Sequence, residues 1–397
     1  MRVLLVSDGY PPVSGGLEAH VKRLAKYLNG VGHELVVVTA AGGGAGDSPW
    51  KVVVSSTWLA HVPGIHHQTM RRLPPPWPDP GMVRVIDDVA KRLNPDVIHA
   101  HGWCSSSARV VASRRDVPLV VTLHDYGMLC PMRTLLNGGQ MCSHTAGLRC
   151  VRCPGSDQSA PKRLTLAAGI AITRKYRPVK SKYLAVSNAV AEVHRQAGVT
   201  DLIEVVPNFI DMPDSPFVPA PKHGPILYVG PSTEVKGLDV LVSAHRILVD
   251  RGKRTILHHV GGASISQDGY IVRSGRLCGD DLEAAYSSAR VVVIPSKWEE
   301  PCPTVALEAM GVGRAIIASA VGGLIDIVDN GATGELVRPN DPQALAAALE
   351  ALLDDNQRVE SMGRAGRIRL EQFSTTTIGP RIEAAYVTTR SSYRNTI

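Results

Sequence analysis

Short apolar runs alternate along most of the chain with stretches in which apolar residues recur every three or four positions. The first run, residues 2–7, is continuous enough to be a strand buried on both faces. A turn-rich stretch over residues 8–16 follows. Val21, Leu24, Ala25 and Leu28 then give residues 18–28 the spacing of an amphipathic helix. Gly32 ends that helix, and residues 34–39 form the next strand of a βαβ unit. Comparable runs at 97–99, 119–123, 183–186 and 204–206 extend the unit into a parallel sheet covered by helices.

The pattern breaks at residues 206–221, where five prolines in sixteen residues can continue neither a helix nor a central strand. Beyond this linker the βα rhythm restarts. Strands are predicted at 226–230, 255–260, 291–294 and 315–318, and helices at 238–249, 280–289, 304–310 and 342–353. Pro342 opens the last of these, with Asp341 placed to cap it. The fold class is α/β: two Rossmann-like domains, residues 1–207 and 208–375, with a tail at 376–397 expected to pack back on the first. In such sheets ligands bind outside the C-terminal strand ends, and two domains set the site in the cleft.

The most informative segment lies directly after the strand at 291–294: PSKWEEPCPTVALEAMGVG. Pro301 and Pro303 keep its start out of helical geometry, so the helix is expected to begin near Thr304. Glu300 then sits on the loop and Glu308 about one turn into the helix, with the N–H groups near Thr304, Val305 and Ala306 forming an anion site. Two carboxylates flanking such a helix start suit a ligand with hydroxyls at both ends and phosphate in the middle, as in a nucleotide sugar. The alternative is that Glu300 complements the helix dipole and Glu308 is a solvated charge.

That segment, with Glu300-x7-Glu308, resembles the signature of the family 4 glycosyltransferases, retaining enzymes of the GT-B fold. Other stretches agree in order: SDGYPPVSGGLEAHVKRLAKYLNGVGHELVVVTA, PDVIHAHGW, VVTLHDY, LAVSNAV, VVPNFID, ILYVGPSTEVKGLDVLVSAHRIL and VGGLIDIVDNGATGELVRPNDPQALAAALEALLDD. The resemblance spans most of residues 1–375. It implies an acceptor-side first domain, a donor-binding second domain, and sugar transfer from a nucleotide-sugar donor (UDP- or GDP-linked) to a glycan, lipid-linked or small-molecule acceptor. By the same resemblance, Gly15 and Gly16 admit the donor diphosphate, His124 lies beside the transferred sugar, and Lys236 meets the diphosphate. Glu300 would contact the donor sugar and Glu308 the ribose hydroxyls. His101, at a neighbouring strand end, is a weaker candidate. Each residue also has a plain structural alternative: a turn glycine, a satisfied histidine, a solvated lysine.

One departure stands out. Where the family usually follows the strand before Lys236 with an arginine, Gly230 is followed here by Pro231. Losing one charge-assisted hydrogen bond to phosphate costs on the order of 1.5–3 kcal/mol unless another cation replaces it. A weakened sugar-nucleotide-binding protein therefore stands beside transfer, as does, on grounds of fold alone, a nucleotide-sugar epimerase. The chain has no Asp-x-Asp, which agrees with catalysis that needs no metal at the diphosphate. Tyr176 and Lys180 match a dehydrogenase spacing, but the accompanying glycine fingerprint is missing.

Charge and cysteine content refine the picture. The 397 residues hold 43 Lys+Arg against 36 Asp+Glu, an excess of +7. Residues 162–182 contain Lys162, Arg163, Arg174, Lys175, Arg177, Lys180 and Lys182 and no acid, so that segment accounts for the whole excess. It reads either as a basic amphipathic helix for an anionic membrane surface or lipid-phosphate acceptor, or as a solvated face. Nucleic acid is the least favoured partner. Apolar runs stay near ten residues, short of the ~20 a membrane helix needs, and the early charge argues against a signal peptide. A cytoplasmic protein, peripheral on the inner membrane face at most, is expected. Of seven cysteines, Cys130, Cys142, Cys150 and Cys153 fall within 24 residues, with His144 nearby. They make either a structural zinc site or free, redox-labile thiols.

Overall fold

A computed structural model describes residues 1–13, 15–43, 48–55, 74–138, 140–143, 145–153, 159–175, 181–199, 202–262 and 265–394. Tyr176, Arg177, Lys180 and His144 lie outside the described residues. The chain divides into two compact units, one made of Met1–Pro207 with Thr375–Ile397, the other of Asn208–Ser374.

In the first unit, β1 (Arg2–Ser7), α1 (Gly16–Gly30), β2 (Glu34–Thr39), β3 (Lys51–Val54), α2 (Pro80–Leu93), β4 (Val97–His101), α3 (Ser105–Arg115) and β5 (Leu119–Leu123) follow in order. A small hairpin, β6 (Leu136–Asn137) and β7 (Gln140–Met141), then precedes α4 (Ala160–Lys175), β8 (Ser181–Ala185), α5 (Asn188–Gln196) and β9 (Ile203–Val205). The main sheet runs β3-β2-β1-β4-β5-β8-β9 with every neighbour parallel. β1, β4 and β5 are buried almost throughout, as their continuous apolar runs require.

The second unit repeats the plan. Its strands are β10 (Ile226–Val229), β11 (Leu257–Val260), β12 (Ile265–Asp268), β13 (Ile271–Ser274), β14 (Val291–Ile294), β15 (Ala315–Ser319) and β16 (Gly334–Val337). The helices are α6 (Leu238–Asp250), α7 (Asp280–Ser288), α8 (Thr304–Gly311), α9 (Leu324–Ile327), α10 (Pro342–Asp354) and α11 (Asn356–Arg369). The order β12-β13-β11-β10-β14-β15-β16 is parallel except for the β12–β13 hairpin. Ile226, Leu241, Leu257, Val291, Ile317 and Leu349 belong to one core packed between sheet and helices. The Asp341 side chain caps α10 by accepting from the Ala344 N–H at 2.9 Å. In each sheet the strand order reverses once, between β1 and β4 and between β10 and β14, and ligand sites of such sheets gather at those reversals.

The tail is a helix, α12 (Thr375–Arg394), and it packs within the first unit. Ile378, Ile382, Ala385 and Tyr386 are buried. Gly379 allows the close approach, since a Cβ there would lie 2.5 Å from the Tyr27 ring of α1. Glu383 accepts from Tyr27 Oη at 2.5 Å and bonds His33 Nε2 at 2.6 Å. Burial opposes its ionisation, but these hydrogen bonds and the His33 charge win and hold the carboxyl below its ordinary range. A depressed carboxylate stabilises the fold above its unfolded pKa, and that contribution is lost as pH falls toward the folded one. Glu383→Gln should therefore cost about 1–2 kcal/mol near neutral pH. The Tm gap to wild type should close as pH is lowered toward about 4; a gap that stays constant with pH would rule the linkage out.

The basic segment does not form the single helical face expected from sequence. α4 ends at Lys175, and Lys182 lies on strand β8, where it meets Glu204 at 2.9 Å and Thr388 at 3.1 Å. Arg163 and Arg174 donate to the carbonyls of Val151 and Ala197. Two of the helix's cations are thus turned to backbone oxygens, and a third side chain serves the sheet. No helix among the described residues is long and apolar enough to cross a membrane.

Candidate functional site

In the second unit the site is built where β10 and β14 end. The turn Glu234–Lys236 follows β10, and Gly237 takes φ 70° to turn the chain into α6. Lys297 N donates to Val235 O at 2.9 Å, which ties this turn to the loop after β14. That loop carries Glu300, only 3% exposed, and its backbone carbonyl accepts from Gly323 N at 2.6 Å. Three donors converge on Glu300 Oε1: Lys236 Nζ at 2.6 Å, Ser296 Oγ at 2.7 Å and Trp298 Nε1 at 2.9 Å. The Lys236 ammonium also stands 5.4 Å from the Trp298 ring centre.

The helix after this loop begins at Thr304, as the prolines ahead of it require. No side chain caps it, so the first N–H groups, those of Thr304 and Val305 among them, form an anion-attracting end. Glu308 is half-buried and accepts from Tyr286 Oη at 2.8 Å. Burial and the Glu308 carboxylate together push the Tyr286 hydroxyl well above the usual phenol range, so it remains a donor. At Pro231, the carbonyl accepts from Tyr228 Oη at 2.9 Å and brings no cation. Next to it, His259 Nε2 bonds Gly230 O at 3.0 Å. Arg273 pairs in register with His259, and burial and its charge together lower that imidazole's pKa. Arg273 thus stands opposite His259, the residue that bonds the Gly230 carbonyl.

In the first unit, His124 follows β5 and His101 ends the neighbouring β4. Their Nε2 and Nδ1 atoms are 3.0 Å apart. His20, on the buried face of α1, sets its ring edge-on to His124 with centroids 4.7 Å apart. Nitrogens of His20, His101 and His124 lie within 4.8 Å of one another, a set that could hold a divalent ion. Beneath them His99 bonds Tyr386 Oη and Thr122 Oγ1, both at 2.7 Å. Burial drives His99 and His101 well below the usual histidine range, so both are neutral at physiological pH.

Asp8, at the end of β1, is 2% exposed and accepts from the N–H groups of Trp103 at 3.0 Å and Cys104 at 2.8 Å. Arg133 bridges Asp8 at 3.1 Å and Asp125 at 2.8 Å, fixing the chain just after His124. His20, Asp8 and Arg133 do not stand out in the sequence. Only His20 leaves a signal there, because it precedes Leu24 by four positions on the apolar stripe of α1. Gly15 and Gly16 open that helix without a side-chain cap, and a Cβ on Gly16 would meet nothing within 4 Å.

Comparison with known proteins agrees with the geometry. Residues 14–213 match the family described as Glycosyltransferase Family 4, and residues 224–355 match Glycosyl transferases group 1. The chain is 29% identical to a glycogen synthase of Mycobacterium tuberculosis, over 99% of this chain and 96% of that one. It is 27% identical to a D-inositol 3-phosphate glycosyltransferase of Pseudarthrobacter chlorophenolicus, covering 90% and 86%. The structure of Anabaena HepE in complex with UDP-glucose superposes with a TM-score of 0.70 at 19% identity, covering 98% of this chain and 100% of that one. The fold is GT-B, and the epimerase reading gains no support from these relatives.

Proposed function

The chain belongs to glycosyltransferase family 4, and from that premise we propose that it transfers a sugar, with retention, from a UDP- or GDP-linked donor to a hydroxyl of a glycan, lipid-linked or small-molecule acceptor. The Lys236–Glu300 pair beside the uncapped start of α8 is the observation that carries this reading. It sets a cation and a buried carboxylate side by side, the two charges that a sugar diphosphate needs at its phosphate and its hydroxyl end. In this assignment Lys236, with the N–H groups of Thr304 and Val305, stabilises the departing diphosphate. Glu300 accepts from the donor sugar's hydroxyls and Glu308 from those of the ribose. Gly15 and Gly16 admit the diphosphate, and His124, hydrogen-bonded to His101, lies beside the sugar.

The bond from the anomeric carbon to phosphate oxygen breaks while the bond to the acceptor oxygen forms on the same face. The leaving diphosphate takes the acceptor's proton, so no protein carboxylate acts as nucleophile. Arg273 is the candidate for the phosphate contact that Pro231 cannot make. We extend the reading to a cytoplasmic-face enzyme resting on an anionic surface through α4, where Leu164 and Ile172 are exposed on the helix that also carries Lys162.

Thermal protection by a panel of UDP-, GDP- and ADP-sugars tests the assignment, and a matching donor should raise Tm at saturating concentration. Gly16→Ala sharpens the test, because nothing in the fold opposes its methyl group. The variant should be as stable as wild type yet bind the same donor about tenfold more weakly, roughly 1.4 kcal/mol. Protection by no donor would overturn the function. Protection with an unchanged Gly16→Ala affinity would remove only Gly16 from the diphosphate site.

A further inference from the structure

The four clustered cysteines play no part in the transfer chemistry, yet the fold brings them to one place. Cys130 ends a turn in which its N–H bonds Tyr126 O, and Cys142 follows β7 with its N–H on Leu135 O at 2.6 Å. The β6–β7 hairpin thereby carries Cys142 back alongside the chain that leaves Cys130. Cys150 and Cys153 sit on the next turn, where Cys153 N bonds Cys150 O at 3.2 Å. All four side chains line a single pocket, and none is in a disulfide. The apolar cluster here is small, Ala146, Ala167 and Ile170 with Cys150 packed against it.

We propose that Cys130, Cys142, Cys150 and Cys153 bind one structural zinc ion that fixes the segment following His124. Four thiols suit a closed tetrahedral site, in which they bind as thiolates and release their protons. The Cys130 sulfur accepts from the N–H groups of Met132 and Leu135, which fixes its position on the pocket wall. Metal binding would have to draw the sulfurs together within this pocket, since among the described residues only His20, His101 and His124 already bring three ligand atoms within 4.8 Å of one another. A tetrathiolate zinc carries two net negative charges, and Arg149, Arg152 and Arg163 line the same pocket to offset them.

The site also reaches the histidines. Arg133, three residues after Cys130, is the side chain that bridges Asp8 and Asp125, with its guanidinium 4.9 Å from the Trp103 ring centre. It holds left-handed backbone at φ 64°, as does Leu135 at φ 55°. A metal-locked turn supplies the constraint that this backbone needs, and it carries rigidity from the cysteines to the chain at His124.

Full-length protein purified without chelator should contain about one zinc per chain by mass spectrometry, released by a mercurial thiol reagent. Cobalt exchanged into the wild type should show tetrahedral thiolate-to-metal charge-transfer bands. Cys150→Ser with Cys153→Ser should lose the metal, whereas Cys278→Ser, at an exposed cysteine, should keep it. Metal-free wild type, or intact mass after denaturing alkylation showing two disulfides, would overturn the site. So would a double variant that keeps its full zinc, which would place the ion on His20, His101 and His124. Should the double variant not fold, the cobalt spectrum of the wild type decides.

Discussion

Glu300→Gln should leave a folded protein that transfers sugar about a hundredfold more slowly. The amide keeps the shape and still offers Oε1 to Ser296 and Trp298, whose hydrogen bonds to it are 2.7 and 2.9 Å long. What it removes is the charge opposite Lys236, and with it a strong acceptor for the hydroxyls of a sugar gaining positive character in the transition state. Lys236 keeps part of its hydration, its side chain being 30% exposed, so the cost to the fold is modest, about 1–2 kcal/mol. Nucleoside diphosphate binding should survive, because Lys236 and the helix start are the groups assigned to its phosphates. Measured at saturating donor, a rate within threefold of wild type would show that Glu300 is a structural anchor and not a contact to the reacting sugar.

The chain's alternation of apolar runs and helical spacings was enough to place the central strands of both sheets and the start of α8, because those elements bury side chains on a regular period. Helix α11 was missed for the opposite reason. Its contact face is made of Gly363 and Gly366 beside Val359 and Met362, and a Cβ on Gly363 would lie 2.2 Å from Gly313 O. A helix that docks by closeness of backbone leaves almost no hydrophobic periodicity to detect. The short strands β3, β12, β13 and β16 escaped because the side chains described in them are largely half-buried or exposed.

The site was legible in a similar, uneven way. Glu300, Lys236 and His124 lie in motifs at strand ends, where position in sequence and position in the sheet coincide. His101 was also visible as a strand-end residue, but its contact with His124 required β4 and β5 to be neighbours in the right register. Arg133 and Asp8 are 125 residues apart, and no local pattern joins them. The tail was expected on the first unit, and its helix, which carries Pro380, buries Ile378, Ile382, Ala385 and Tyr386 at helical spacing. What the sequence did not show is the polar part of its anchor, Glu383 meeting Tyr27 and His33 more than 300 residues earlier in the chain.

Gly237→Ala should be the most damaging small substitution near the site, and it separates two physical effects. Gly237 has φ 70°, and a Cβ there would fall 1.8 Å from Pro295 O. Left-handed backbone alone costs an alanine about 1–2 kcal/mol. Gly252 supplies the control, because it has φ 85° and a methyl group there would meet nothing within 4 Å. Gly252→Ala should therefore show the backbone cost only, lowering Tm by about 2–8 °C for a domain of this size and leaving donor binding intact. At Gly237 the collision adds to that cost, for a total of about 3 kcal/mol and 6–12 °C. The turn and the loop after β14 must then separate, which draws Lys236 away from Glu300 and abolishes protection by the donor. Equal Tm losses in the two variants, or donor protection retained by Gly237→Ala, would mean that the loop yields without disturbing the pair. The close packing of turn against loop would then not be what positions the charges.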